Sequence, residues 1–265
     1  MSNNSFDRVA EEYDATRPIP RGASEEITDT ILRVTGATQA TEFLEVGVGT
    51  GRIGAPIVER GHRFTGVDIS RKMMNEMLRK LPGERPNLTL VEADATALPF
   101  ADASFDVALT VHLLHLVARW HDALAEIRRV LREGGVFLYG YEEHSADEAL
   151  REVYTQWDTI LAGRGVQTGP SGGNLQDVLA ELKHQGARLE TVIAAKWRAE
   201  ITVGELMDLY ERRVYSRFWR LPDDVFSDAV ADLKEWSARR YPSEGFALSG
   251  ESVFVLTVAR HWASV

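Results

Sequence analysis

Apolar residues in the first half of the chain fall into short blocks separated by turns, and several blocks are too continuous for strands with one wet face. Residues 43–46 (Phe43, Leu44, Glu45, Val46) end one such block, and 105–111 (FDVALTV) form another. Both have the character of strands buried on both faces of a parallel sheet. Between the blocks the period changes to that of a helix. Ile53, Ile57 and Val58 share one face of a helix predicted over 52–59 that stops at Gly61, and Met73, Met74, Met77 and Leu78 follow Ser70 as an N-cap. Leu124, Ile127, Val130 and Leu131 line a helix over 120–132 that Gly134 and Gly135 end. Residues 62–68, 87–92 and 136–141 supply three more strands. Five strands alternating with helices predict a doubly wound α/β sheet with right-handed crossovers.

Ahead of this series, residues 1–4 read as a frayed terminus. Phe6, Val9, Ala10 and Tyr13 fall at helical spacing before a break at Arg17-Pro18, and Ile27, Ile31 and Leu32 predict a helix over 24–34 with Ser24 as its N-cap. Beyond Glu142, Asn174 caps a predicted helix carrying Leu175, Val178, Leu179 and Leu182, and residues 189–197 read as a sixth strand. Val203, Leu206, Met207, Tyr210 and Val214 line one further helix. Val225, Phe226, Ala229, Val230 and Leu233 line another, started by Pro222, Asp223 and Asp224. Residues 252–261 form the last strand. Four of the six tryptophans lie between 157 and 236, which predicts that this insertion has an apolar core of its own and caps the site. Gly163 to Gly173 reads as a flexible loop.

The turn after the first strand is the chemical centre of the pattern. Gly47, Gly49 and Gly51 remove side chains from it, so a ligand can approach main-chain groups directly. Two cofactor patterns overlap there. Gly49, Gly51 and Gly54 spell the dinucleotide fingerprint G-x-G-x-x-G, whereas Glu45 with the first three glycines spells E-x-G-x-G-x-G. An acid just before the turn repels a pyrophosphate and suits a ligand carrying ammonium and sulfonium charges. Asp68 ends the second strand 17 residues beyond Gly51. That position returns it to the same sheet edge, where an acid accepts hydrogen bonds from ribose hydroxyls.

Composition narrows the classes. The 265 residues allow one full-sized α/β domain with an elaboration, and 44% hydrophobic content is globular. No apolar run is long enough to span a bilayer and no leader precedes the first helix, so a cytoplasmic protein away from membranes is expected. A formal net charge of −10 argues against nucleic acid as partner. The absence of cysteine excludes disulfides, thiolate metal sites and a Cys nucleophile. His112 and His115 lack a H-E-x-x-H frame, so no metal site is expected.

The E-x-G-x-G-x-G turn, the string E-A-D-A-x-x-L-P-F at 92–100 and the phrase EIRRVLREGGVFLYG at 126–140 resemble the class I S-adenosylmethionine (SAM) dependent methyltransferases, in particular the small-molecule, type 11-like group. The resemblance covers about 40–142. A looser match, Tyr13, Asp14, Arg17 and Pro18, resembles the Y-D-x-x-R-P segment that folds over the cofactor in many such proteins. It implies a Rossmann-like, seven-stranded, mostly parallel sheet with an antiparallel insertion, on one domain over 1–265. Within it, 1–36 would be an N-terminal lid, 40–142 the cofactor core, 145–250 a substrate-side helical elaboration and 252–261 the final strand. It further implies SAM as cofactor, S-adenosylhomocysteine (SAH) as product, and a small-molecule acceptor that no motif identifies; no motif sets an oligomeric state.

Cofactor contacts are then expected from Glu45, Gly47, Gly49, Gly51, Asp68, Ile69 and Val111. Arg17 would pair with the methionine carboxylate, Met73 would lie against adenine, Asp94 would take the adenine amino group, and the Ala95 N–H would address a ring nitrogen. In-line methyl displacement needs chiefly positioning and exclusion of water. His112, His115, Glu142 and Tyr13 are the candidates for removing an acceptor proton. Two other readings use the same residues: a SAM-binding sensor or scaffold without transferase activity, and an NAD(P)-dependent oxidoreductase on Gly49, Gly51, Gly54 and Asp68.

Overall fold

A computed structural model describes residues 6–166 and 172–262. The expected fray at 1–4 lies outside the described residues, as does the middle of the expected loop at 163–173. Seven strands form one mixed sheet in the order β3-β2-β1-β4-β5-β7-β6. They are β1 (Glu42–Val46), β2 (Arg63–Asp68), β3 (Leu88–Glu92), β4 (Phe105–Val111), β5 (Leu131–Ala146), β6 (Arg188–Thr202) and β7 (Ala247–Arg260). The pairs β1–β2, β2–β3, β1–β4 and β4–β5 are parallel. From β1 the chain winds outward through β2 to β3 and then returns to place β4 on the other side of β1. The point between β1 and β4 is therefore the topological switch, beyond whose carboxyl ends ligands bind in open α/β sheets.

By contacts, the described chain divides into two compact units, one of 6–142, 172–195 and 253–262 and the other of 143–166 and 196–252. The division falls inside β5, β6 and β7. In the first unit, α2 (Arg21–Thr35), α3 (Gly54–Glu59), α4 (Arg71–Lys80), α5 (Trp120–Val130) and α7 (Leu175–His184) accompany the strands. One core there joins Leu44, Val46, Ala108 and Phe137 of the sheet to Leu124 and Ile127 of α5 and Val178 and Leu182 of α7. The second unit contains α6 (Glu148–Gly163), α8 (Val203–Glu211) and α9 (Asp223–Arg240). Its own core gathers Trp157, Tyr210, Phe218, Phe226 and Leu233, with the Trp157 ring 4.9 Å from Tyr210 and 5.0 Å from Phe218. The clustered tryptophans had pointed to such a core.

Several boundaries differ from the sequence reading for local reasons. The 6–13 segment is a chain of short 3₁₀ turns followed by α1 (Tyr13–Thr16), in place of one amphipathic helix. Helix α2 begins at Arg21, with Pro20 before it, so Ser24 lies inside the helix and its carbonyl accepts from the Thr28 hydroxyl. Helix α3 starts at Gly54 rather than at residue 52, because Gly51 is still in a left-handed turn at φ +73°. Helix α5 stops at Val130, and the chain enters β5 at Leu131, five residues early, through an irregular register opposite Phe105 and Val107. Strands β6 and β7 also run beyond the apolar cores that marked them. Helix α6, capped by Asp147 through Leu150 N–H at 2.8 Å, had no counterpart in the sequence reading. Ser70, Asn174 and Pro222 sit at helix starts as expected.

Candidate functional site

The glycine turn after β1 and the segment after β4 meet at the switch point. Gly47, Gly49 and Gly51 all have left-handed backbones, at φ +81°, +54° and +73°. A Cβ on Gly47 would come within 3.0 Å of Leu113, and one on Gly51 within 2.4 Å of Met77. The turn is thus wedged between the loop after β4 and helix α4, and only glycine satisfies both its angles and its clearances. Residues lining the cavity beside it include Tyr13, Glu45, Gly47, Gly49, Arg52, Val111, His112 and Glu142.

Two carboxylates frame the turn. Asp68 accepts the Gly49 N–H through Oδ2 and the Ser70 N–H through Oδ1, both at 2.8 Å. Burial pushes its carboxyl up, against the opposing effect of the Ser70 and Gly49 N–H groups. Glu45 is buried and Oε2 makes no hydrogen bond among the described residues. Burial, and then the neighbouring Asp68, push its carboxyl well above the usual range, opposed by the Gly54 N–H and Lys80. A buried carboxyl with an orphaned oxygen on a cavity wall fits a ligand that brings positive charge and N–H donors. It fits a pyrophosphate badly.

The other expected contacts are placed unevenly. Ile69, directly after Asp68, is 72% exposed, which leaves an apolar side chain facing out at the rim where an adenine is expected. Met73 is buried, with its methyl 3.4 Å from a Cβ on Gly49, so it supports the turn from below. Asp94 is exposed and accepts from the Thr96 N–H and hydroxyl at 2.8 and 2.9 Å. Ala95 is half-buried against the core. The loop bearing both is clamped to α5. The Leu98 N–H donates to Glu126 at 2.8 Å, and Arg129 donates to the carbonyls of Leu98 and Phe100 at 3.0 and 2.7 Å. Glu126 and Arg129 lay in the EIRRV phrase without a role, since nothing in the sequence says which loop they reach.

The N-terminal segment is strapped across the same edge. Asp14 accepts from the Thr50 hydroxyl of the glycine turn at 2.5 Å and pairs with Lys80, and Asp7 accepts from Ser70. Arg17 does not line the cavity. Its guanidinium lies 4.5 Å from the Tyr13 ring centre and donates to Thr16 at 2.9 Å.

An ion-paired group shares the cavity lining with the turn. Arg52, which follows Gly51 directly, donates to Glu142 Oε1 at 3.1 Å, and His112 Nε2 lies 3.3 Å from the same oxygen. The Arg52 and Glu142 side chains are 13% and 9% exposed. His112 and Glu142 were expected separately as proton acceptors, whereas Arg52 carried no signal beyond its place after the turn. His115 is set apart: it does not line the cavity, and burial with the nearby His112 pushes its imidazole down to about 4, so it is neutral at ordinary pH. Among the described residues no group of three His, Asp or Glu is arranged to hold a metal, and no helix is long and apolar enough to cross a membrane.

Comparison with known proteins adds an independent line. A sequence family described as a methyltransferase domain matches residues 44–139. The chain is 33% identical over 153 residues to a demethylmenaquinone methyltransferase of Renibacterium salmoninarum, covering 57% of this chain and 63% of that protein. It is 33% identical over 165 residues to a fatty-acid O-methyltransferase of Mycolicibacterium smegmatis, covering 59% and 57%. In both, the match spans less than two thirds of the relative. A demethylmenaquinone methyltransferase of Beutenbergia cavernae is 30% identical over 198 residues, covering 73% of this chain and 81% of the relative. Among solved structures, the cyclase SpnF shares the fold, with a TM-score of 0.57 at 18% identity over 96% of this chain and 93% of the other.

Proposed function

Because this chain belongs to the class I SAM-dependent methyltransferases, we propose that it transfers the methyl group of SAM to a small-molecule acceptor. The observation that carries this reading is the left-handed glycine turn preceded by Glu45, whose buried Oε2 has no hydrogen bond among the described residues. Bound SAM supplies an electrophilic methyl on a sulfonium, ready for in-line displacement. What remains for the protein is to hold the partners in line and keep water out.

In this reading, Gly47, Gly49 and Gly51 let the cofactor lie against the backbone, and Glu45 answers its positive end. Asp68 takes the ribose hydroxyls with the oxygen lone pairs that Gly49 and Ser70 leave available. Ile69 covers the adenine, Asp94 and Ala95 address its edge, and Val111 lines the wall. Arg17, stacked on Tyr13 and not part of the cavity lining, would have to turn inward to meet the methionine carboxylate. The net charge of −10 fits a partner other than nucleic acid.

Calorimetric titration with SAM, SAH and NAD tests the reading. Micromolar binding of SAM and SAH without NAD is expected. Binding of NAD alone would overturn it and restore the dinucleotide pattern. A second reading, SAM binding without transfer, uses the same glycine turn, Glu45 and Asp68. Appearance of SAH in the presence of an acceptor panel separates the two.

A further inference from the structure

The wall formed by Arg52, Glu142 and His112 has a chemical direction that bears on the acceptor. Glu142 Oε1 receives Arg52 at 3.1 Å and faces His112 Nε2 at 3.3 Å. A carboxylate oxygen only accepts, so the proton of a neutral His112 lies on Nε2. The lone pair is then on Nδ1, which has no hydrogen bond among the described residues. His112 also sits at φ +52°, a left-handed backbone that few non-glycine residues adopt and that a surrounding structure must hold in place. The side chain is 31% exposed and lines the cavity at the carboxyl end of β4.

We propose that His112 is the base for methyl transfer, that Glu142 and Arg52 are its positioning pair, and that the acceptor is a weakly acidic hydroxyl compound of the phenol or hydroquinol type. The proposal rests on the methyltransferase reading above. An acceptor that is already an anion, such as a carboxylate, needs no base and would enter a cavity walled by Glu45 and Glu142. A phenolic hydroxyl must lose its proton to become a good nucleophile at oxygen or at the ring carbon beside it. As the O–H bond breaks, its electron pair stays on the acceptor and its proton moves to His112 Nδ1. For transfer to oxygen, that pair forms the new bond to the methyl while the S–CH₃ pair remains on sulfur. For transfer to carbon, the enolate form supplies the pair, and the ring C–H proton leaves afterwards to the solvent.

The imidazolium so formed faces Glu142, whose charge stabilises it, while the Arg52 hydrogen bond holds Glu142 in place. Other ionisable groups near His112 are His115, which is neutral, and Glu45 and Tyr13 on the same cavity wall. Because Arg52 follows Gly51 in the chain, the orientation of the base is tied to the cofactor turn itself.

Two measurements on the full chain test this. The first is long-range ¹H–¹⁵N NMR of the imidazoles in the presence of SAH, with the His112 signal assigned from His112→Asn. The Nε2–H tautomer is expected, with mixed tautomers in Glu142→Gln and Arg52→Ala and recovery in Arg52→Lys. An Nδ1–H tautomer in the wild type, or no change in Glu142→Gln, would overturn the positioning role.

The second is transfer of labelled methyl from SAM to demethylmenaquinol, catechol and palmitate. The two hydroxyl compounds are expected to accept methyl and palmitate not. His112→Asn should lower kcat by about 10²-fold or more and remove the acidic limb of the pH profile. Transfer to palmitate alone, to none of the hydroxyl probes, or at an undiminished rate by His112→Asn would overturn the proposal. Failure to bind SAM or SAH by calorimetry would instead refute the methyltransferase reading, and is seen separately.

Discussion

Asp68 Oδ2 accepts the Gly49 N–H at 2.8 Å, joining the acid at the end of β2 to the middle of the turn that follows β1. The same carboxylate holds the Ser70 N–H, so one side chain ties the turn after β1 to the start of α4.

Replacing Asp68 by Ala therefore removes structure as well as the proposed ribose partner. Loss of two charge-assisted hydrogen bonds, softened by relief of a partly desolvated charge, is expected to cost about 1–3 kcal/mol of stability. SAM affinity should fall by about tenfold or more, equivalent to at least 1.4 kcal/mol. Thermal denaturation and calorimetry on the same variant check both.

Gly51→Ala tests the turn itself. The new Cβ would meet Met77 Cγ at 2.4 Å in a fully buried position, on a backbone at φ +73°. A destabilisation of about 2–4 kcal/mol is expected from strain and overpacking together. Gly36→Ala is a useful control. It also has a left-handed backbone, at φ +63°, but nothing among the described residues lies within 4 Å of its Cβ, so chemical denaturation should show about 1 kcal/mol from the angle alone.

Glu45 makes stability and cofactor binding depend on pH in opposite senses. Its carboxyl is raised above 4.5 in the fold by burial and by Asp68. Between 4.5 and the raised value the folded state binds more protons than the unfolded chain. The stability it contributes is thus complete below 4.5 and is lost as pH rises through the raised value. A cationic ligand favours the ionised form, so SAM binding should release a proton and strengthen as pH rises. Calorimetry in buffers of different ionisation enthalpy should detect that proton, and Glu45→Gln should abolish it.

His115 acts in the other direction. Its imidazole is pushed down from 6.5 to about 4, so between those values the unfolded chain binds the extra proton and stability falls as pH falls. His115→Gln should remove roughly 1–3 kcal/mol of that acid sensitivity. The test is the midpoint of urea denaturation at pH 7 and pH 4.5 for both proteins.

Much of this molecule follows from local sequence alone. The strand at Phe105–Val111 and the caps at Ser70 and Asn174 agree with the structure, because continuous apolar runs and capping side chains act over a few residues. The glycine spacing told of a bare turn for the same reason: clearance at one backbone position is a local property. Tertiary structure decided what touches what. Glu142 lies 90 residues from Arg52 and 30 from His112, and the strand order brings the end of β4 and Glu142 within β5 to the turn after β1. The orphaned oxygen of Glu45, the exposed face of Ile69 and the left-handed backbone of His112 likewise arise from packing between distant segments. Periodicity and composition report which residues want burial; only the folded chain fixes which polar groups are buried together and which are left without partners.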